Sequence, residues 1–398
     1  MLTKGGDHMV LSGIDLMVKK EFSPLKGASI GLLVNQASVN RTLTPTVELF
    51  RSAPHLKLKA LFGPQHGIAG TTQDNMIEWE SFRDGSTSLP VYSLYGKVRK
   101  PTREMLQEID CFVIDLFDVG ARYYTFLWSA LLALQACAEN GIRVVILDRP
   151  NPINGITVEG PLLSENFLSF VGLYPLVIRH GMTIGEILSM IRAEKKIDVQ
   201  LDIVTCNGWK RSMWFDETGL PWVLPSPNMP ALDTAIVYPG FCLLEGTSLS
   251  EGRGTTRPFE LFGAPFVDPA ALKIDLEREK LAGVHVRAAS FEPAFQKHKG
   301  LTCGGAQLHV TDRRRFRSVL TAVAALKALK RRYPGEWSWK APPYEYEYQK
   351  LPFDILAGGE AMRTDIENDT PLEEIREGWK ADEKAFLNRR KPYLLYDN

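Results

Sequence analysis

Four short apolar runs, each ending abruptly in polar residues, constrain this chain more than any other feature. Ala28–Val34 ends in Asn35 and Gln36, and Leu56–Phe62 in Gly63-Pro64-Gln65-His66-Gly67. Cys111–Ile114 runs into Asp115 and Asp118, and Arg143–Leu147 into Asp148-Arg149-Pro150-Asn151. Continuous apolar runs of this length read as strands buried on both faces. Helical patterns separate them, beginning at Pro45–Arg51, spanning about 101–109, and running from Phe126 to Asn140 with Gly141 as a C-cap. The alternation predicts an α/β fold, a Rossmann-like doubly wound parallel sheet. Ligands of such sheets bind beyond the carboxyl ends of the strands. The polar tips, which include Asn35, Gln65, His66, Asp118, Arg122, Arg149 and Asn151, therefore share one edge and outline a binding crevice.

The most crowded tip, Asp118-Val-Gly-Ala-Arg-Tyr-Tyr-Thr125, has two uses open to it. It is either part of a site or a scaffold loop in which Arg122 pairs with Asp118. The aperiodic stretch Ala69–Pro90, with Gln73, Asp74, Asn75, Glu78 and Glu80, has the length of a functional loop. Thr183 and Glu186 have capping-box spacing at the start of a helix reaching Arg192, which makes Glu186 structural. Val199–Thr205 reads as a further strand, and the proline-rich Gly219–Pro230 as a bridge between domains. Glu245–Thr255 holds Glu245, Glu251 and Arg253 among glycines and small hydroxylated residues, the composition of a ligand loop. The rest reads as a smaller α+β C-terminal domain. It has strands at Val284–Ala289 and Ala306–Val310, a helix at Phe316–Arg332, and an aromatic stretch, Trp337–Phe353, packed across the surface. Glu373–Arg390 reads as a solvated amphipathic helix. The expected division is residues 10–235 and 236–398, with the site in the cleft between them.

Composition narrows the chemistry. Forty-seven basic residues balance 47 acidic ones, which argues against a general nucleic-acid binder. The five cysteines lack metal-site spacing and read as buried free thiols suited to a reducing compartment. Met1–Lys20 has no apolar signal core and no stretch reads as a membrane span, so a cytoplasmic location is expected. No phosphate-binding glycine motif appears, so no nucleotide cofactor is expected; the seven histidines have no zinc-site spacing, so no metal is expected either. A nucleophile elbow is missing too. Ser226 and Ser250 leave an amide or ester hydrolase open only if a histidine partners them. What remains is a pocket of carboxylates, tyrosines, arginines, asparagines and the histidines His66 and His180. That inventory suits a carbohydrate, cleaved by an acid with a carboxylate or tyrosine partner. Arg149 and Arg253 suit an acidic substituent on the sugar.

Seven ordered motifs carry a resemblance. They are Gly31–Gln36, Leu61–Gly67, Asp118–Thr125, Leu147–Gly155, Arg179–Glu186, Pro225–Pro230 and Glu245–Thr255. Together they resemble the DUF1343 family, the exo-β-N-acetylmuramidases of the NamZ type, from about Val10 to the C-terminus. The resemblance implies a Rossmann-like domain with a smaller C-terminal domain, an interdomain active site, and release of N-acetylmuramic acid (MurNAc) from the non-reducing end of peptidoglycan fragments such as MurNAc-GlcNAc. No cofactor is implied, and the partner is a small carbohydrate rather than nucleic acid or membrane. The implied catalytic pair is a glutamate and a tyrosine: here Glu251 or Glu245, with Tyr123 ahead of Tyr124. Asn35, Gln65, His66, Glu80, Asp118, Arg122, Tyr124, Arg149, Asn151, His180, Asn228 and Arg253 are the expected substrate-binding residues. The chain departs from the family at Gln65, where many members carry glutamate. Glu78 or Glu80 is the alternative acid on that account, and a sugar-binding protein without turnover the alternative function.

Overall fold

The computed structural model describes residues 9–398 other than 75 and 86, so Asn75 of the long loop lies outside the described residues. The central sheet is built from β1 (Ser29–Val34), β2 (Lys57–Gly63), β3 (Phe82–Arg83), β4 (Pro90–Ser93), β5 (Cys111–Asp115) and β6 (Arg143–Leu147). A small antiparallel ribbon follows, β7 (Glu159–Leu162) with β8 (Val177–Arg179), before β9 (Leu201–Val204) returns to the central sheet. The seven-stranded order is β3-β4-β2-β1-β5-β6-β9, parallel apart from the β3–β4 pair. The order in which strands are added reverses between β1 and β5, the switch point where such sheets open a crevice.

Side-chain alternation along the strands divides the interior into two cores. Leu33, Phe112 and Ile114 pack on one face under the helix Thr125–Glu139, while Leu32, Val34 and Val113 pack on the other against Ile14, Met17 and Phe50. Burial on both faces is why these strands read as unbroken apolar runs. The helix expected at about 101–109 is a single turn, Arg103–Leu106, capped by the Thr102 hydroxyl.

The smaller C-terminal domain carries an antiparallel sheet of β10 (Leu261–Ala264), β11 (Val284–Phe291) and β12 (Cys303–Val310) in the order β10-β12-β11. Its helix Ser318–Arg332 packs on Leu232–Phe241. Two expectations change here. The helix Leu372–Arg390 buries Ile375, Trp379 and Phe386 against the β7–β8 ribbon, and its Glu383 and Asp382 accept from the Gly160 and Leu162 amides, both at 3.0 Å. The Trp337–Phe353 stretch is not a surface wrap, because Tyr344 and Glu345 are buried and face inward. All five cysteines are buried and free. Among the described residues, no helix is long and apolar enough to cross a membrane, and no group of His, Cys, Asp or Glu is placed to hold a metal ion.

Candidate active site

A narrow pocket lies where the carboxyl edge of the central sheet meets the C-terminal segments. Each wall has a local cause. The turn after β2 places Gln65 and His66, with His66 and Gly67 both at positive φ (70° and 76°). Trp79 braces that turn from outside through its indole N–H to the Pro64 carbonyl, at 3.0 Å. The loop after β5 delivers Tyr123 and Tyr124 at the head of the helix Thr125–Glu139, so Thr125 and Phe126 also line the cavity. The proline-rich stretch contributes Ser226, Asn228 and Met229. It is tied down by the Asn35 amide donating to the Pro225 carbonyl at 2.8 Å and by the Asn228 amide donating to the Gln73 carbonyl at 2.7 Å.

The far wall comes from the C-terminal half. Glu245 and Arg253 line it together with Tyr238, Phe259, Tyr344 and Glu345. Arg253 donates to Glu245 at 2.7 Å and stands 3.4 Å from Glu251. Lys297 donates to Glu251 and to the Leu244 and Leu249 carbonyls, each at 2.9 Å. Two carboxylates and two cations thus form a buried, neutral quartet that pins the loop. Glycine is needed at two points in it. A Cβ on Gly252 would meet the Leu261 carbonyl oxygen at 2.4 Å, and one on Gly254 the Phe295 carbonyl oxygen at 2.7 Å, with both residues at positive φ.

Protonation follows from burial and neighbours. Burial alone would raise Glu245, but Arg253 and the Tyr344 hydroxyl (2.8 Å) hold it below the ordinary glutamate value. Burial would likewise lower Arg253, and Glu245 and Glu251 reverse that, so its charge is secure. Glu345 makes no ion pair among the described residues, and Arg253 is the weakest of the influences on it. Burial raises it to about 7, against a hydrogen bond from Tyr95 and with reinforcement from the Glu245 charge. His66 is pushed down to about 4 by burial and is neutral, its Nδ1 2.7 Å from the Thr72 carbonyl. Burial raises the phenols Tyr123 and Tyr124 above the usual tyrosine value. Neither is a ready phenolate, and the Tyr123 hydroxyl is committed to the Pro239 carbonyl.

Of the residues expected from sequence, Gln65, His66, Tyr123, Tyr124, Asn228, Glu245 and Arg253 come together around the cavity. The others are placed elsewhere. Glu251 sits behind the wall in the ion quartet. Arg122 is fully buried and does not pair with Asp118. It donates to the carbonyls of Pro161, Leu176 and Leu356, tying the β5 loop to the C-terminal domain. Arg149 is spent on Asp115, by two bonds of 2.6 and 2.9 Å. Asn151 bridges the Met182 carbonyl and the Ile153 amide. His180, buried and lowered to about 3, stands 3.6 Å from Asp118, which burial raises to about 7. Glu80 is exposed, and Glu78 accepts from the Tyr346 hydroxyl at 3.1 Å. Glu186 makes the expected capping box and also pairs with Arg211. Sequence reasoning missed Glu345, Tyr344 and Tyr95. The one available signal was a carboxylate set between two tyrosines, Tyr344-Glu345-Tyr346.

Comparison with known proteins agrees with this architecture. Residues 30–233 match the family model described as exo-β-N-acetylmuramidase NamZ, N-terminal, and residues 236–396 match its C-terminal counterpart. The chain is 46% identical over 387 residues to the peptidoglycan β-N-acetylmuramidase NamZ of Bacillus subtilis (strain 168), covering 97% of this chain and 91% of that protein. It is also similar to the crystal structures of two DUF1343 family proteins from Bacteroides fragilis NCTC 9343. One superposes with a TM-score of 0.88 at 32% identity, covering 98% of this chain and 100% of the other. The second gives 0.76 at 28% identity, covering 98% and 99%. With family models matching most of its length and a relative at this identity, the chain belongs to the exo-β-N-acetylmuramidase NamZ family.

Proposed function

We propose that the protein is an exo-acting glycoside hydrolase that releases N-acetylmuramic acid from the non-reducing end of MurNAc-GlcNAc fragments. The observation that carries this reading is the cavity itself: two buried carboxyl groups, Glu245 and Glu345, share it with aromatic rings, an amide-bearing turn and the buried cation Arg253. Paired carboxyls flanking a sugar are what glycosidic cleavage requires. Arg253 is the one arginine or lysine among the residues lining the cavity. With the amino end of the helix Thr125–Glu139, it offers the lactyl carboxylate of muramic acid a positive field. The units are taken as residues 10–235 and 236–398, which puts the cavity at their junction.

Release of nitrophenol from the β-glycosides of MurNAc and of GlcNAc, measured side by side, tests the reading. Turnover of the MurNAc glycoside alone is expected, and equal turnover of both would overturn the assignment of substrate. Gln65, standing where the family resemblance leads one to expect glutamate, favours a second reading, a sugar-binding protein without turnover. Binding of MurNAc-GlcNAc without hydrolysis of either glycoside would establish it. Five buried free thiols fit a reducing compartment and support a cytoplasmic location, where the substrates are fragments already taken into the cell. Recovery of the protein outside the cytoplasmic fraction would refute that placement.

A further inference from the structure

We infer that Glu345 is the proton donor of the cleavage, with Gln65 and Tyr95 as its positioning residues. This rests on the hydrolase reading above.

Two buried carboxylates, Glu245 and Glu345, belong to the C-terminal wall, and a third, Glu251, stands behind it. Glu245 holds Arg253 and Glu251 holds Lys297. Glu345 makes no ion pair among the described residues; burial and the Glu245 charge outweigh its hydrogen bonds from Tyr95 and Gln65 and the weaker pull of Arg253, so its proton is held well above the ordinary glutamate range. Its oxygens are nonetheless held in place. Oε2 accepts from the Tyr95 hydroxyl at 2.8 Å, and Oε1 from the Gln65 amide at 3.3 Å. The same amide donates to the Tyr95 oxygen at 3.1 Å, while its carbonyl oxygen accepts from the Thr125 hydroxyl at 2.6 Å. Both ends of the Gln65 amide are therefore assigned, with the NH₂ group towards Glu345. A glutamate at position 65 would instead turn a second acceptor on it. The amide at 65 and the acid at 345 are complementary, which gives the departure at Gln65 a physical reason.

The backbone argues in the same direction. Tyr344 and Glu347 exchange both backbone hydrogen bonds at 2.9 Å, so Glu345 and Tyr346 are the two central residues of a tight turn. Both have positive φ, 45° and 67°. Asn-Gly is the comfortable sequence for such a turn. Glutamate and tyrosine are there at a cost in backbone strain, and strain of this kind concentrates at functional sites. The turn is clamped by what its side chains touch. The Tyr346 hydroxyl bonds Glu78 at 3.1 Å, and the Arg99 guanidinium lies 3.8 Å from the centre of its ring.

In the reaction, the Glu345 carboxyl gives its proton to the glycosidic oxygen as the C1–O bond breaks, and the GlcNAc fragment leaves with a free hydroxyl. Net, water supplies the hydroxyl that C1 acquires, and its remaining proton restores the carboxyl.

A leaving group that needs no proton separates this role from a structural one. The wild-type chain and Glu345→Gln are assayed on MurNAc-GlcNAc and on the dinitrophenyl β-glycoside of MurNAc, with folding checked by circular dichroism. Loss of an acid catalyst is expected to lower kcat on the disaccharide by about 10²- to 10⁴-fold, and to leave the dinitrophenyl substrate within about tenfold of wild type. Tyr95→Phe removes a bond that favours the ionised carboxyl, so its disaccharide activity should persist to higher pH than the wild type's. A folded Glu345→Gln that cleaves the disaccharide at the wild-type rate, or loses both substrates alike, overturns the assignment. A wild-type chain inert on both substrates overturns the hydrolase reading itself, which keeps the two failures distinct.

Discussion

Glu345 and Gln65 work as a donor–acceptor pair, and exchanging the amide for a carboxylate is the sharpest single change available. In Gln65→Glu two buried carboxyls would face each other across about the present 3.3 Å and hold one proton between them. The shared proton should survive to higher pH, so the alkaline limb of the rate profile on MurNAc-GlcNAc should move upward. An unmoved limb would count against the pairing. Glu345 also ties stability to pH. Its carboxyl is raised by burial from 4.5 to about 7, so the folded chain holds this proton where the unfolded chain has lost it. The stability this contributes is fully present below about pH 4.5 and disappears as the pH rises through about 7. Wild type should therefore lose about 3 kcal/mol relative to Glu345→Gln between those limits in urea titrations. The lowered histidines His66 and His180 act in the opposite direction, but equally in both proteins. Glu251 behaves differently from both. Glu251→Gln breaks buried ion pairs with Lys297 and Arg253, and should lower unfolding free energy by about 3 kcal/mol. Turnover by the folded fraction should survive, which an active-site titration at low temperature measures.

The loop Glu245–Thr255 is the element on which the far wall depends, and its glycines are its weak points. Gly252→Ala forces a methyl to 2.4 Å from the Leu261 oxygen at a φ of 77°. It should cost more than about 1 kcal/mol and loosen Arg253, which thermal melts and the KM for MurNAc substrates would both register. This loop was legible in sequence because glycines, hydroxyls and charges cannot form a core. The central strands were legible for the opposite reason, since burial on both faces leaves unbroken apolar runs. Strand tips were harder. Arg122, Arg149, Asn151 and His180 are as polar as Gln65 and His66, yet they turn inward, Arg122 and Asn151 to backbone carbonyls, Arg149 to Asp115 and His180 towards Asp118. Linear spacing does not say which way a tip residue turns. Glu345 was the least legible of all. It reaches Gln65 across 280 residues of chain, from an aromatic, proline-rich stretch whose composition reads as surface packing.

At the scale of the whole molecule, single side chains join the two halves. Arg122 does so from the sheet side, bonded to the carbonyl of Leu356 on the helix Pro352–Ala357. Arg122→Met removes the guanidinium from three buried carbonyls at once. It should lower unfolding free energy by about 3 kcal/mol or more and separate a single unfolding transition into two, visible by calorimetry. The tail of the chain does the same from the other side. Arg390 bonds the carbonyls of Ile156, His180 and Gly181, the Tyr396 hydroxyl bonds Asp148 at the tip of β6, and the Asp397 carbonyl accepts from Arg211. Synthesis runs in one direction, so the larger half emerges from the ribosome before the partners that are encoded after it. Its β7–β8 ribbon and the Asp148 corner stay uncovered until residues 372–397 have followed, an interval in which those surfaces lack the side chains that cover them in the folded chain.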